Sequence, residues 1–134
     1  MIIVDSSVLV DLFRGRSTSA TRSFERLEQQ GMPFAVPAIC CQELLQGARN
    51  AHEWRLLLDY LTTQAWVGIA DEQQSHVAAA RIFYDCRRKG LTVRSSVDCL
   101  IAQIVLEHDG ELLHDDRDFD SIRRVRPLRF VPTS

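Results

Sequence analysis

Short apolar runs alternate with amphipathic segments along almost the whole chain, and that rhythm admits few folds. Ile2–Val4 end at a polar Asp5-Ser6-Ser7 corner, after which Val8, Leu9, Leu12 and Phe13 recur at helical spacing. A second amphipathic segment over 18–30 has Ser17 or Thr18 as N-cap and Gly31 as its stop. Phe34–Val36 is the next apolar run, and Pro37 fits the first turn of a helix that carries Ile39, Cys40, Glu43, Leu44 and Leu45 and ends near Gly47. Residues 52–64 place Trp54, Leu57, Leu58 and Leu61 on one helical face, followed by a strand over Trp66–Ala70. Asp71 caps a long helix that runs to Gly90. Ser95 or Ser96 caps another, with Val97, Leu100, Ile101, Ile104 and Leu106 on its buried side and Gly110 at its end. Leu112–His114 is a short strand, Asp115–Asp120 an acidic stretch, and Leu128–Val131 a final apolar run. Strands separated by helices favour parallel βαβ units. The expected fold class is α/β: one domain over residues 1–134, with a central parallel sheet of four to five strands and helices on both faces.

Composition agrees with one globular domain. A hydrophobic content of 46% with 25% charged residues excludes disorder as the dominant state. The longest apolar run, Met32–Cys41, contains two prolines and is far shorter than the about 20 residues of a membrane helix. No basic segment precedes Ile2–Val4, so no secretion signal is expected and the cytoplasm is the expected compartment. Cys40 and Cys41 are adjacent while Cys86 and Cys99 stand alone, a pattern that suits small buried hydrophobes rather than disulfides or zinc ligands.

Four acids sit where such a topology brings chain segments together. Asp5 ends the first strand, and Glu43 lies about two turns into the helix after the second. Asp98 falls in the first turn of the Ser95-capped helix, and Asp116, with Asp118 two residues on, follows the Leu112–His114 strand. In parallel sheets the carboxyl ends of strands and the amino ends of following helices share the edge where ligands bind. Each acid also has an ordinary alternative. Asp5 suits a turn or cap, Glu43 a solvated helix face, and Ser95-x-x-Asp98 a capping box. Asp115, Asp116, Asp118 and Asp120 suit a hydrophilic loop.

Three or four carboxylates within ~6 Å cannot all ionise unless a cation compensates them or their pKa values rise. Hard oxygen donors select Mg²⁺, with Mn²⁺ as a substitute, over zinc. His114, the one nearby histidine, is expected to contact solvent or backbone rather than metal. An acidic metal site suits phosphodiester hydrolysis, in which catalysis is mostly positioning and electrostatics. No GxSxG, GxxxxGK[ST] or GxGxxG motif is present, which removes several other enzyme classes.

Four blocks together resemble one family. They are Ile3-Val4-Asp5-Ser6-Ser7-Val8-Leu9-Val10-Asp11-Leu12, Cys41-Gln42-Glu43-Leu44-Leu45-Gln46-Gly47, Thr92-Val93-Arg94-Ser95-Ser96-Val97-Asp98-Cys99-Leu100-Ile101-Ala102 and Asp115-Asp116-Arg117-Asp118-Phe119-Asp120. In this order and spacing the chain resembles the PIN-domain ribonucleases and, within them, the VapC toxins of bacterial type II toxin–antitoxin pairs. The resemblance implies that Asp5, Glu43, Asp98 and Asp116 form a catalytic acidic quartet holding Mg²⁺. Asp5, Asp98 and Asp116 would be direct ligands, with Asp118 in a secondary metal position, direct or through water. Ser7 matches a position that orients the first aspartate, and Arg94 one that steers RNA phosphate, a salt bridge being its plain alternative. Asp115 departs from the polar or basic residue usual at that place. The resemblance further implies an endoribonuclease that uses a metal-activated water and leaves a 5′-phosphate on RNA of the tRNA or rRNA class. It implies a homodimer, a VapB-type antitoxin whose tail reaches the acidic site, and promoter DNA bound only through that antitoxin.

Two other readings fit the sequence less well. A receiver-like phosphoacceptor would want a Lys beside the acids, whereas Lys89, the only Lys, ends a helix. A non-catalytic, acid-lined RNA- or partner-binding domain would have lost one or more of the four acids, and all four are present. The net charge of −2 argues against a generic nucleic-acid coat. Setting the quartet aside leaves 16 basic residues against 14 acidic ones, and 15 of the 16 are Arg. Arg14, Arg16, Arg22 and Arg26, then Arg87, Arg88, Lys89 and Arg94, then Arg123, Arg124, Arg126 and Arg129 form three clusters, some of which are expected to flank the site and bind backbone phosphate.

Overall fold

The computed structural model describes residues 1–133. Five strands form one sheet: β1 (Ile2–Val4), β2 (Phe34–Pro37), β3 (Ala65–Val67), β4 (Glu111–Leu113) and β5 (Arg129–Phe130). Their order is β3-β2-β1-β4-β5, and every neighbouring pair is parallel. Helices α1 (Ser6–Phe13) and α2 (Ser19–Gln29) join β1 to β2, and α3 (Ala38–Gln46) and α4 (Ala51–Leu61) join β2 to β3. Helices α5 (Glu72–Arg88) and α6 (Ser96–Glu107) join β3 to β4, and α7 (Arg117–Arg123) joins β4 to β5.

The strand order places the helices. From β1 the chain steps twice toward one edge, through β2 to β3, then crosses back to β4 and steps to the other edge at β5. Right-handed crossovers put helices on opposite faces when the direction of travel reverses. Helices α1 to α4 therefore cover one face and α5 to α7 the other, and the helices pack within those two sets. With both faces covered, consecutive strand residues are buried together: Ile3 with Val4, and Leu112 with Leu113. This is the fold class expected from the sequence, with the sheet at five strands.

Local chemistry sets the boundaries. Thr18 caps α2 through a reciprocal box with Thr21, and Gly31 leaves it at φ 65°, where a side chain would be strained. Pro37 is the last residue of β2 and the N-cap of α3, one position earlier than expected. The acidic stretch is a helix rather than a loop: Asp116 caps α7, and Phe119 and Ile122 are fully buried at helical spacing. Helix α4 buries Leu57 and Leu61 but leaves Trp54 and Leu58 exposed, because it packs mainly on α3, with Tyr60 against Phe13 of α1.

Candidate active site

Strands β1 and β4 are neighbours whose outgoing connections leave in opposite directions, the point at which an open parallel sheet forms a crevice. Each strand delivers an aspartate there that caps the following helix. Asp5 Oδ2 accepts from the Ser7 amide at 3.0 Å, and Asp116 Oδ1 from the Asp118 amide at 2.9 Å. Capping by an ionised carboxylate is favoured by the helix dipole. It also fixes the orientation of both carboxylates over the crevice. The turn-or-cap alternative for Asp5 is therefore compatible with a site role: the cap holds the carboxylate there.

Asp98 arrives from the opposite face on the first turn of α6, and the capping box expected for it does not form. Ser95 Oγ accepts from the Val97 amide at 3.2 Å, while the Ser95 amide donates to Asp118 Oδ2 at 3.2 Å instead of to Asp98. Asp98 is left buried, with Oδ2 sealed from solvent and without a hydrogen-bond partner among the described residues. Asp118 also takes the Arg94 amide at 3.0 Å on Oδ2 and Arg94 Nε at 3.3 Å on Oδ1. It pins the 94–95 segment from beneath. One carboxylate oxygen each of Asp98, Asp116 and Asp118 can be chosen so that all three lie within 4.8 Å of one another.

Glu43 comes from α3 on the first face. The Ser6 hydroxyl donates to Glu43 Oε1 at 3.2 Å, which holds it toward the crevice. Asp5, Glu43, Asp98 and Asp116 line one cavity of about 480 Å³, which continues over Val10, Phe13, Leu56 and Leu57. The structure thus brings together all four acids expected to be catalytic. Asp118 lies behind them, and Asp5 joins the cavity rather than the close trio.

Such crowding has an electrostatic cost. Burial first, then the charges of Asp116 and Asp5, push the Asp98 carboxyl up to about 9. Burial also raises Asp5, against the pull of Ser7 and Cys40, and raises Glu43 against the Ser6 hydroxyl. Arg94 supplies nearby positive charge, with Nη2 3.5 Å from Asp116 and Nε 3.3 Å from Asp118, and its side chain stays largely exposed. Arg94 thus makes the salt bridge that is its plain alternative, and its exposure leaves the guanidinium open to a further anion. His114 packs against Phe119 and Phe130, and its Nδ1 accepts from the Asp116 amide at 3.1 Å, the backbone contact expected for it. Burial lowers its pKa, consistent with a neutral ring.

Two contacts lay outside the sequence reading. Ser6, not Ser7, holds the glutamate, while Ser7 Oγ accepts from the Asp115 amide at 2.9 Å and ties β1's corner to the loop after β4. Cys40 is buried as expected, and its thiol also meets Asp5 Oδ1 at 3.5 Å. The doubled serine after Asp5 was the available signal for the first. Nothing in the sequence distinguished Cys40 from Cys41.

The donor set and the orphaned Asp98 Oδ2 both fit a hard divalent cation: three clustered carboxylates, no sulfur, and a buried oxygen lacking a partner.

Comparison with known proteins identifies the relatives of this chain. Ribonuclease VapC11 of Mycobacterium tuberculosis is 32% identical over 130 residues, 96% of each chain. Among solved structures, VapBC2 from Rickettsia felis, bound to a promoter DNA fragment, superposes with a TM-score of 0.73 at 18% identity, covering 98% of both chains. VapBC-1 from nontypeable Haemophilus influenzae gives 0.71 at 19% identity, covering 98% of this chain and 97% of that one. The PIN domain profile matches residues 2–125. The chain belongs to the PIN domain family, among its VapC members.

Proposed function

We propose that residues 1–134 act as one PIN domain, a Mg²⁺-dependent endoribonuclease that serves as the toxin of a toxin–antitoxin pair. The observation that carries this reading is the single cavity lined by Asp5, Glu43, Asp98 and Asp116, four acids from four separate parts of the chain. Asp98 and Asp116 would hold the ion, with Asp5 beside them and Asp118 as a further or water-mediated ligand. When bound, Mg²⁺ or Mn²⁺ supplies an activated water and neutralises charge that develops on the phosphate. Glu43, held at Oε1 by Ser6, is placed to accept a proton at its other oxygen. Ser7 fixes Asp5 and the Asp115 backbone, and Arg94 keeps an exposed guanidinium beside Asp116 and Asp118 that can meet an RNA phosphate.

The names of the relatives support a ribonuclease, and the VapBC complexes support a VapB-type antitoxin as partner. The apolar continuation of the cavity over Val10, Phe13 and Leu56 offers a peptide segment a surface beside the acids. A homodimer, an RNA target of the tRNA or rRNA class, promoter contact only through the antitoxin, and a cytoplasmic location belong to the same reading. No helix among the described residues is long and apolar enough to cross a membrane.

The test is induction in cells followed by mapping of RNA 5′ ends. New 5′-phosphate ends at discrete sites with the wild type, absent with Asp98→Asn, are expected. Identical cleavage by both proteins would refute the site. An intact RNA pool together with stable RNA binding would favour the non-catalytic alternative.

A further inference from the structure

A second, basic cleft opens at the same end of the α5–α6 pair as Asp98. The two helices run antiparallel: Ser75 near the start of α5 donates to Glu107 at the end of α6 at 2.7 Å. The other end of the pair joins the last turn of α5, with buried Cys86, to the first turn of α6, with buried Asp98 and Cys99. The cleft, about 330 Å³, is lined by Asp85, Arg88, Lys89, Val125 and Arg126.

Cations in the last turn of a helix ordinarily complement its dipole, and Arg88 and Lys89 alone would say no more than that. Arg126, however, comes from a different element, the segment after α7. It is oriented by its own bonds, Nη2 to Asp85 Oδ2 and Nη1 to the Val125 carbonyl, both at 2.9 Å. Asp85 is already engaged on its other oxygen by Arg81 Nε at 2.9 Å. Its charge is thus shared by two guanidiniums, and Arg88 and Lys89 have no carboxylate partner among the described residues. Beside the cleft the exposed Tyr84 ring gathers further positive charge, with guanidinium carbons of Arg81, Arg88 and Arg87 at 5.0, 5.8 and 6.0 Å from its centroid. Guanidinium donors in excess, held in a cleft and continued along an exposed strip, match the phosphates of a polynucleotide rather than one small anion.

We propose that this cleft binds the RNA backbone away from the scissile bond, with Arg88, Lys89 and Arg126 as its phosphate contacts and Tyr84 as the organiser of the adjoining strip. The proposal rests on the ribonuclease reading above. It places substrate on both sides of the start of α6, so that RNA held at the cleft is presented to Asp98.

The test uses the full chain carrying Asp98→Asn, so that RNA is bound and not cut. A fluorescein-labelled single-stranded RNA is titrated by anisotropy across a range of salt. Adding Arg88→Gln with Lys89→Gln should weaken binding about tenfold at physiological salt and flatten the log–log salt slope by about 1.4, near 0.7 per lost phosphate contact. Tyr84→Ala should weaken binding and Tyr84→Phe should not, because the ring and not the hydroxyl holds the cations. Arg49→Gln with Arg55→Gln, an equal loss of charge just before and within α4, should change the slope far less. Thermal melts confirm that each variant is folded. A slope for Arg88→Gln with Lys89→Gln equal to that of the α4 pair overturns the inference and leaves the nuclease reading standing if the wild type still cuts RNA. Displacement of RNA by inorganic phosphate at matched ionic strength would assign the cleft to a small anion and also overturn it. Loss of antitoxin binding with unchanged RNA affinity would assign it to a protein, again against the proposal. A wild type that neither binds nor cuts RNA overturns both.

Discussion

Replacing Asp98 by Asn should make the metal-free protein more stable at alkaline pH while abolishing cleavage. An aspartate titrates ordinarily at 3.8, whereas the buried Asp98 is pushed up to about 9. Between those values the native state holds more protons than the unfolded chain. Its stability is therefore complete on the acid side of that window and lost as pH rises toward the upper value, by at most about 1.4 kcal/mol per pH unit. From pH 5 to pH 8 that limit amounts to about 4 kcal/mol, and solvent in the cavity and sharing of charge with Asp116 reduce it to roughly 1–2 kcal/mol. Asn keeps the shape, carries no charge, and can donate its amide to the neighbouring carboxylates of Asp116 and Asp118. For a chain of this size about 3–4 °C in Tm accompanies each kcal/mol. Melting curves in chelator should put Asp98→Asn about 3–8 °C above wild type at pH 8 and close to it at pH 5. Mg²⁺ should raise the wild-type Tm more than that of the variant. A variant that melts below wild type at pH 8, or that keeps the wild-type loss of stability with pH, would refute the reasoning.

Asp118→Ala strands the Arg94 and Ser95 amides and should cost about 2–4 kcal/mol, seen as a lower urea midpoint at unchanged m, with cleavage falling as the 94–95 segment loosens. Ser6→Ala removes the part-buried hydroxyl that donates to Glu43. It should cost less than about 1 kcal/mol in stability yet lower kcat roughly tenfold, and stopped-time cleavage assays separate the two effects. Gly110→Ala is a purely structural control: its Cβ would meet Ile3 Cδ1 at 3.0 Å and the Met1 carbonyl at 3.2 Å. A loss of about 1–3 kcal/mol by denaturant titration is expected, with kcat unchanged in the folded fraction.

The parallel α/β class was legible because helices on both faces turn the strands into continuous apolar runs, and the strand ends then locate Asp5 and Asp116 without further information. Asp98 was harder. Its capping-box spacing is genuine, and only the tertiary bond from the Ser95 amide to Asp118 shows that the carboxylate serves elsewhere. Helix α7 was hidden because four acids among six residues mask the spacing of Phe119 and Ile122. The division of labour between Ser6 and Ser7 depends on which hydroxyl the first turn of α1 aims at α3, and that is a matter of side-chain direction rather than sequence pattern. The same limit applied to α4, where helical spacing could not say that Trp54 and Leu58 face outward.

If the four converging acids hold a divalent ion for cutting RNA, cleavage by the purified protein depends on Mg²⁺. Wild type and Asp98→Asn are prepared in parallel, so that a contaminating nuclease would show in both. Wild-type cleavage that rises with Mg²⁺ or Mn²⁺, stops with chelator, leaves 5′-phosphate ends and is absent from the variant is the expected result. Cleavage that persists in chelator, or that Asp98→Asn performs as well as wild type, would contradict it.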